Sequence, residues 1–409
     1  MKLIQFGELL KEPIRNGLTK PKSVRGHGVG MISMGEIFSH NRIFKLEMDK
    51  VPVTDKELTN CRVKPGDLLF ARQSLVLDGA GKCSIVVDAY EDTVFESHLI
   101  RARVDDTKAN PYFIYYYFNS HIGRENIKTI VEQVAAAGIR GSDLVRLYVP
   151  CPEIKIQNQI VGILNAIDSK IELNQKINDN LHKQLYEIYK AWYQDFLCID
   201  NLTLIESPYG KIPQGWHYSM LGDLCKSVSV THNFNTERLI FLNTGDVEDG
   251  MFLHSDYMAV ADMPGQAKKT IMQNDILYSE IRPINRHFAY IDFQADNYVA
   301  STKLMVIRAT SFDSRRLYHF LTLQDTLEEL QMQAESRSGT FPQIRFENIS
   351  KLPILIADSN TETAFVTLLH AAYNQIEHNN SENKKLSELR NSLLPQLMSG
   401  KIDVSRIRL

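Results

Sequence analysis

The chain has 409 residues, with 46 Lys and Arg against 49 Asp and Glu for a net charge of −3. Its apolar and charged fractions, 44% and 23%, are those of an ordinary soluble protein, and its length leaves room for several domains that each bury a core. The N-terminus MKLIQFGELLKEPIRNG carries no long apolar stretch and no segment approaches about 18 uninterrupted apolar residues, which argues against secretion and membrane insertion and for the cytoplasm. Cys61, Cys83, Cys151, Cys198 and Cys225 are odd in number, scattered and without a C-x-x-C pair, a usage that fits a reducing compartment and offers no metal site. The near-neutral balance does not by itself favour a nucleic-acid partner, although a local basic face matters more than the sum.

Residues 1–153 are predicted to form a first mixed α/β domain. Strands are expected at 67–71, 84–87 and 98–104, separated by the turn signals KPGD at 64–67 and DGAGK at 78–82. After Pro111 the run YFIYYYFNS is apolar on nearly all sides and reads as a short buried helix. NPYF at 110–113 looks like the N-P-P-Y/F motif of amino-methyltransferases with its second proline missing, and a helix start with proline in its first turn is the simpler reading.

Residues 154–198 are predicted as one long helix. From Gln157 to Phe196 there is no proline and one glycine, Gly162, and Ile160, Leu164, Ile167, Ile171, Leu181, Leu185, Ile188 and Trp192 recur at helical spacing. Such a helix would be on the order of 60 Å long. Residues 199–216, with two prolines and two glycines, read as a linker. A second mixed domain follows at 217–357, with strands expected at 275–281, 287–292 and 299–308. Residues 358–409 close the chain as a second long helix with a tail. Its start, SNTE at 359–362, fits a capping box, and Ser399-Gly400 fits its end.

The two halves repeat. Shifted by 205 residues, the first seam lands on Phe365, Leu369, Ala372, Ile376, Leu386, Leu393 and Leu397. The polar interruptions shift with it, Asn174 and Asn178 onto Asn379 and Asn383. If the helices pair antiparallel, Asn174 lies near Asn383 and Asn178 near Asn379, where buried asparagines would set register at a cost in stability. A place on the solvated edge of the seam is the alternative. The globular parts have drifted more. Asp67 corresponds to Asp275 at an offset of 208, whereas Ile139-Arg140 corresponds to Ile344-Arg345 at 205. The expected architecture is α+β, with two mixed α/β domains in tandem repeat separated by two long antiparallel coiled-coil-like helices.

PEIKIQNQIVGILNAIDSKIELNQKIN, LYEIYKAWYQDF and SPYGKIPQGW resemble the specificity subunit of type I restriction-modification systems, as do SEIRP at 279–283, ASTKLMVI at 300–307 and LPQLMSGKIDV at 394–404. The resemblance covers essentially the whole chain. It implies two target-recognition domains, each reading one half of a split double-stranded DNA site, with the helices as a spacer. It further implies docking of two modification (methyltransferase) subunits, with S-adenosylmethionine bound there and not on this chain, and of restriction (translocase/nuclease) subunits.

Catalytic patterns are sparse: the chain has no G-x-S-x-G elbow, P-loop or H-E-x-x-H, and GHGVG at 26–30 is only a weak glycine cluster. No catalytic residue and no metal ligand is expected. DNA reading is expected from polar and cationic side chains on loops at one edge of each domain. The candidates are Lys20, Lys22, Arg25, Arg72, Gln73 and Arg140 in the first domain. In the second they are Arg282, Asn285, Arg286, His287, Lys303, Arg337, Ser338 and Arg345. Arg140 and Arg345 are equivalent under the repeat, which fits a shared phosphate contact or a shared structural ion pair. Tyr189, Trp192, Tyr193 and Phe196 could anchor a partner subunit or pack on the neighbouring domain. The competing readings are a self-contained methyltransferase or nuclease, and a scaffold whose globular domains bind protein.

Overall fold

The computed structural model describes residues 2–133, 137–337 and 341–405. The chain divides into two compact units, Met1–Gln175 with Asn380–Leu409, and Lys176–Asn379. Each is built on an antiparallel central strand flanked by helices.

In the first unit a five-stranded sheet runs Arg15–Asn16, Leu99–Arg103, Asp67–Ala71, Cys83–Val86, Arg42–Ile43. Its central strand, DLLFA, is buried throughout, because both faces are covered and a continuous apolar run is what such a strand requires. On one face lies the predicted aromatic helix, Pro111–Asn119, capped by the Asn110 side chain and with proline in its first turn. Phe6, Phe70 and Phe118 meet there edge to face at 5.1–6.1 Å. Ile160 and Leu164 of the first long helix and Leu394, Leu397 and Met398 of the second complete this core. The opposite face buries Met31, Ile32, Val94 and Phe95 against Leu69 and Ala71.

In the second unit one sheet runs Cys225–Val228, Leu304–Ala309, Ile276–Ser279, Phe288–Tyr290, and another runs Tyr257–Ala259, Arg238–Leu242, Tyr298–Ser301, Ala267–Thr270. The single strand expected over 299–308 is therefore two strands in two sheets. Thr302 and Lys303 form the corner, where the Ser301 hydroxyl accepts the Lys303 N–H at 3.2 Å and lets the chain change sheets. The core joins Tyr278 and Phe288 to Leu185, Tyr189 and Tyr193 of the first long helix and Phe365, Leu369 and Tyr373 of the second.

The long helices span Ile154–Tyr193 and Ser359–Met398, 40 residues each. The first stops short of Phe196, which takes a left-handed backbone with φ 57°. The second is not capped by Ser359 and Glu362. Asp358 does this instead, accepting the Asn360 and Thr361 N–H groups at 3.1 and 3.2 Å. Glu362 reaches back past Ser359 to accept the Ala357 N–H at 3.1 Å, and is also held by Arg316 Nε at 3.1 Å and the Tyr193 hydroxyl at 2.7 Å. Gly400 closes the helix at φ 73°.

Within each unit the helix halves run antiparallel. In the first unit Asn174 Nδ2 donates to Asn383 Oδ1 at 2.9 Å and to Glu382 Oε2 at 2.7 Å, while Arg390 pairs with Asp168 at 2.8 Å. In the second unit Asn379 Nδ2 donates to Asn178 Oδ1 at 2.7 Å. Asn174, Asn178 and Asn379 are buried and Asn383 is half-buried, so these amides sit inside the seam and not on its solvated edge.

Candidate nucleic-acid interface

The same buried clamp opens the central strand of both units. Asp67 accepts Arg103 Nε and Nη2, each at 2.7 Å, and the Lys64 N–H at 2.7 Å. Asp275 accepts Arg308 Nε at 2.6 Å, Nη2 at 2.7 Å and the Met272 N–H at 2.8 Å. Paired bidentate hydrogen bonds of this kind are strong and directional. Burial works against the Arg103 charge, but the Asp67 carboxylate outweighs it and raises the guanidinium pKa. For Arg308 the hydrogen bonds to Asp275 are the larger influence, and its pKa is raised as well. Asp67 and Asp275 align by the repeat, but the arginines that complete the clamps are visible only in three dimensions.

Where each clamped strand ends, the chain is laced to a second, distant segment in the same register. In the first unit Arg72 donates its N–H to His98 O at 2.8 Å and accepts the Ile139 N–H at 2.9 Å. Gln73 and Ser74 then pair with Gly138 and Ala137. In the second unit Glu280 donates to Lys303 O at 3.2 Å and accepts the Ile344 N–H at 2.8 Å, Ile281 bridges Gln343, and Arg282 donates to Pro342 O at 3.2 Å. Every partner corresponds under the offsets of 208 and 205. Each unit therefore presents one edge built from two loops.

That edge carries many of the candidate residues. Arg72, Gln73 and Arg140 are exposed on it, and Arg140 pairs with Glu132 at 2.7 Å with its side chain 68% open to solvent. Arg140 and Arg345 occupy the same place, immediately before the short helices Gly141–Leu144 and Phe346–Ser350. In the second unit Arg282, Asn285, Lys303 and Arg345 are exposed. Arg282 and Arg286 both take left-handed backbones, φ 43° and 59°, around the turn Pro283–Asn285. Arg286 pairs with Asp249 at 2.8 Å, and His287 Nδ1 lies 2.8 Å from Val247 O. Arg337 ends the helix Gln324–Arg337, and Ser338 lies outside the described residues. Lys20, Lys22 and Arg25 stand on a different segment, where Lys20 pairs with Glu57 and Arg25 with Asp49, each at 2.9 Å.

Two residues of the edge were missed by sequence reasoning. His98 is the counterpart of Lys303, and Glu280 is the counterpart of Arg72 with the opposite charge. The repeat offsets contained that signal, but an acidic side chain is not sought when cations are being collected.

Of the four aromatics that could anchor a partner or pack on the neighbouring domain, Tyr189 and Tyr193 take the packing role. Tyr189 and Tyr193 are buried in the second unit's own core, stacked at 5.2 Å, with the buried Arg316 guanidinium 4.4 Å over the Tyr193 ring. Trp192 and Phe196 are half-buried, against Phe365 at 5.8 Å and Trp216 at 5.7 Å. The seam's periodicity marks these positions as apolar but not what covers them. Beside them His319 is held neutral, its pKa lowered to about 3 first by burial and then by Arg316. Among the described residues no His, Cys, Asp and Glu cluster suits a metal ion, and no helix is long and apolar enough to cross a membrane.

Two copies of one mixed α/β domain, each with the same clamped strand and the same two-loop edge, define a tandem-repeat recognition architecture. The chain belongs to the type I restriction modification DNA specificity domain family, whose model matches residues 28–183 and 213–388. It is 41% identical over 181 residues to the type I restriction enzyme HindI specificity subunit of Haemophilus influenzae, a match that spans 44% of this chain and 39% of that protein's length. It is 21% identical over 398 residues to the type I restriction enzyme MjaIX specificity subunit of Methanocaldococcus jannaschii, covering 95% of this chain and 90% of that one. The crystal structure of a type-I restriction-modification system S subunit from M. genitalium shares the fold, with a TM-score of 0.57 at 15% identity over 97% of this chain and 95% of that chain.

Proposed function

We propose that this chain is the DNA-specificity subunit of a type I restriction-modification complex working in the cytoplasm. In this reading residues 1–153 and 217–357 are the two target-recognition domains and 199–216 the linker between repeats. Residues 154–198 and 358–409 supply the spacer helices. Each domain reads one half of a split double-stranded site. Two methyltransferase subunits, carrying S-adenosylmethionine, act on adenines presented to them, and restriction subunits join that core. The chain itself makes and breaks no bonds.

The observation that carries the reading is the edge laced in identical register in both units. A duplicated scaffold with differing side chains at matched positions is what two related but distinct half-sites require. Arg72, Gln73 and Arg140 supply donors on the first edge, and Arg282, Asn285, Arg286, His287, Lys303 and Arg345 on the second, for phosphates and for base edges in the major groove. Arg72 suits a guanine, whereas Glu280 at the matched position accepts from the amino group of a cytosine. Single-molecule sequencing of DNA from a host expressing this chain with its modification subunit tests the proposal. The expected result is a split motif with N6-methyladenine in each half. An assembled complex that methylates no such motif would refute it.

A further inference from the structure

The two edges differ in the length of one loop. Between Asp67–Ala71 and Cys83–Val86 the connecting loop has eleven residues, against eight between Ile276–Ser279 and Phe288–Tyr290. The repeat offset passes from 208 to 205 within this loop, so the first repeat holds three additional residues there. At its tip stand Leu75, Val76 and Leu77, with exposures of 97%, 64% and 44%. None belongs to the buried cores of the first unit. Loop tips normally carry polar residues, and three consecutive open aliphatic side chains are a cost in water that packing within the unit does not offset.

The tip is held rigidly. The Arg124 guanidinium donates to the carbonyls of Asp78 at 2.6 Å, Gly81 at 2.9 Å and Ala80 at 3.2 Å, tying the descending arm to the body of the unit. Ser74 Oγ accepts the Val76 N–H at 3.2 Å on the ascending arm. The arms close so tightly that a Cβ on Gly79 would lie 2.1 Å from Ser74 Oγ, which leaves room only for glycine. Beside the tip Arg72 is exposed, whereas Arg140 is paired with Glu132 at 2.7 Å and Lys128 is shared between Glu125 at 2.9 Å and Asp78 at 3.6 Å.

We propose that Leu75, Val76 and Leu77 form a wedge that enters the base stack of duplex DNA at the first half-site. The inference rests on the DNA-reading role proposed above. Three aliphatic side chains on a stiff tip are far too small for a stable protein interface, which takes about 20–30 residues a side. They are the right size to open a single base step, and Arg72 beside them holds a flanking phosphate while the duplex kinks. The second edge exposes Ile284 and Phe341, at 40% and 70%, on separate segments, and among the described residues its loop has no run of consecutive aliphatic side chains, so its half-site stays stacked. The first half therefore gains specificity for a step that unstacks easily, such as a pyrimidine–purine step, at a position no side chain reads by hydrogen bonding.

The test uses the full chain assembled with its modification subunit and a duplex carrying the split sequence that this complex selects from a randomised pool, with 2-aminopurine at successive positions of each half. A rise in fluorescence at one step of one half only, lost when L75S, V76S and L77S are combined while the footprint on the other half persists, is the expected result. The variant touches only exposed side chains, and its circular dichroism shows whether the fold is intact. The single variant Leu75→Phe, which keeps apolar bulk at the tip, should keep the rise. Bound duplex with no rise at any position, or a rise the triple variant leaves unchanged, overturns the wedge but not DNA reading. Failure to select any duplex overturns both.

Discussion

Replacing Asp275 by alanine removes the acceptor of the second unit's clamp. Its carboxylate is 0% exposed and binds Arg308 twice, whereas the Arg308 side chain keeps 30% exposure. Breaking a buried pair from one side costs roughly 3–5 kcal/mol, because the partner charge is left without compensation. Arg308 can turn partly to water, which lowers that toward about 2–3 kcal/mol. The orphaned Met272 N–H adds about 1 kcal/mol. Asp275→Ala should therefore destabilise the second unit by about 3–4 kcal/mol. Replacing both partners, Asp275→Ala with Arg308→Met, removes the stranded charge and should recover more than half of the loss. Both tryptophans, Trp192 and Trp216, lie in that unit, so the urea midpoint followed by tryptophan fluorescence reports on it selectively. Hydrogen exchange at the amides of Ile276–Ser279 locates the effect on the strand. A loss below about 1 kcal/mol, or a double variant no more stable than the single one, would refute the claim that the clamp sets the strand leading to the recognition edge.

His319 gives a pH dependence with a defined sign. Its folded pKa, about 3, lies below the ordinary histidine value of about 6.5, so its contribution is complete above pH 6.5 and is lost as pH falls toward 3. The slope reaches about 1.4 kcal/mol per pH unit, and between pH 7 and pH 5 the wild-type second unit should lose about 2 kcal/mol more than His319→Gln. Equal pH slopes in urea unfolding of the two proteins would rule this out. At the recognition edge, Glu280→Gln should relax the second half-site at one position by about 1–3 kcal/mol and leave the first half unchanged, as read from the methylated motif. A motif altered in the first half would contradict the assignment of that residue to the second edge.

Much of the architecture is legible in the chain itself. The two long helices follow from an apolar period sustained without proline, a local signal that needs no knowledge of neighbours. Duplication is self-similarity, so Asp67 and Asp275, or Ile139 and Ile344, declare their equivalence before any contact is known. The short buried helix at Pro111–Asn119 also follows locally, from a proline start and apolar residues on every side. What the pattern could not settle was which side chains meet. Asp67 finds Arg103 and Asp275 finds Arg308 only once antiparallel strands bring residues more than thirty positions apart into register. The corner at Thr302-Lys303 depends on two sheets competing for one apolar run. Glu362 divides its carboxylate between the Ala357 N–H just before the helix and Arg316 and Tyr193, which arrive from elsewhere in the same unit. For Tyr189 and Tyr193 the sequence left partner contact and packing both open, because periodicity identifies an apolar face, whereas its cover comes from segments far away along the chain. The apolar tip of Leu75, Val76 and Leu77 is the converse, because only a folded unit shows that three aliphatic residues in a loop have been left uncovered.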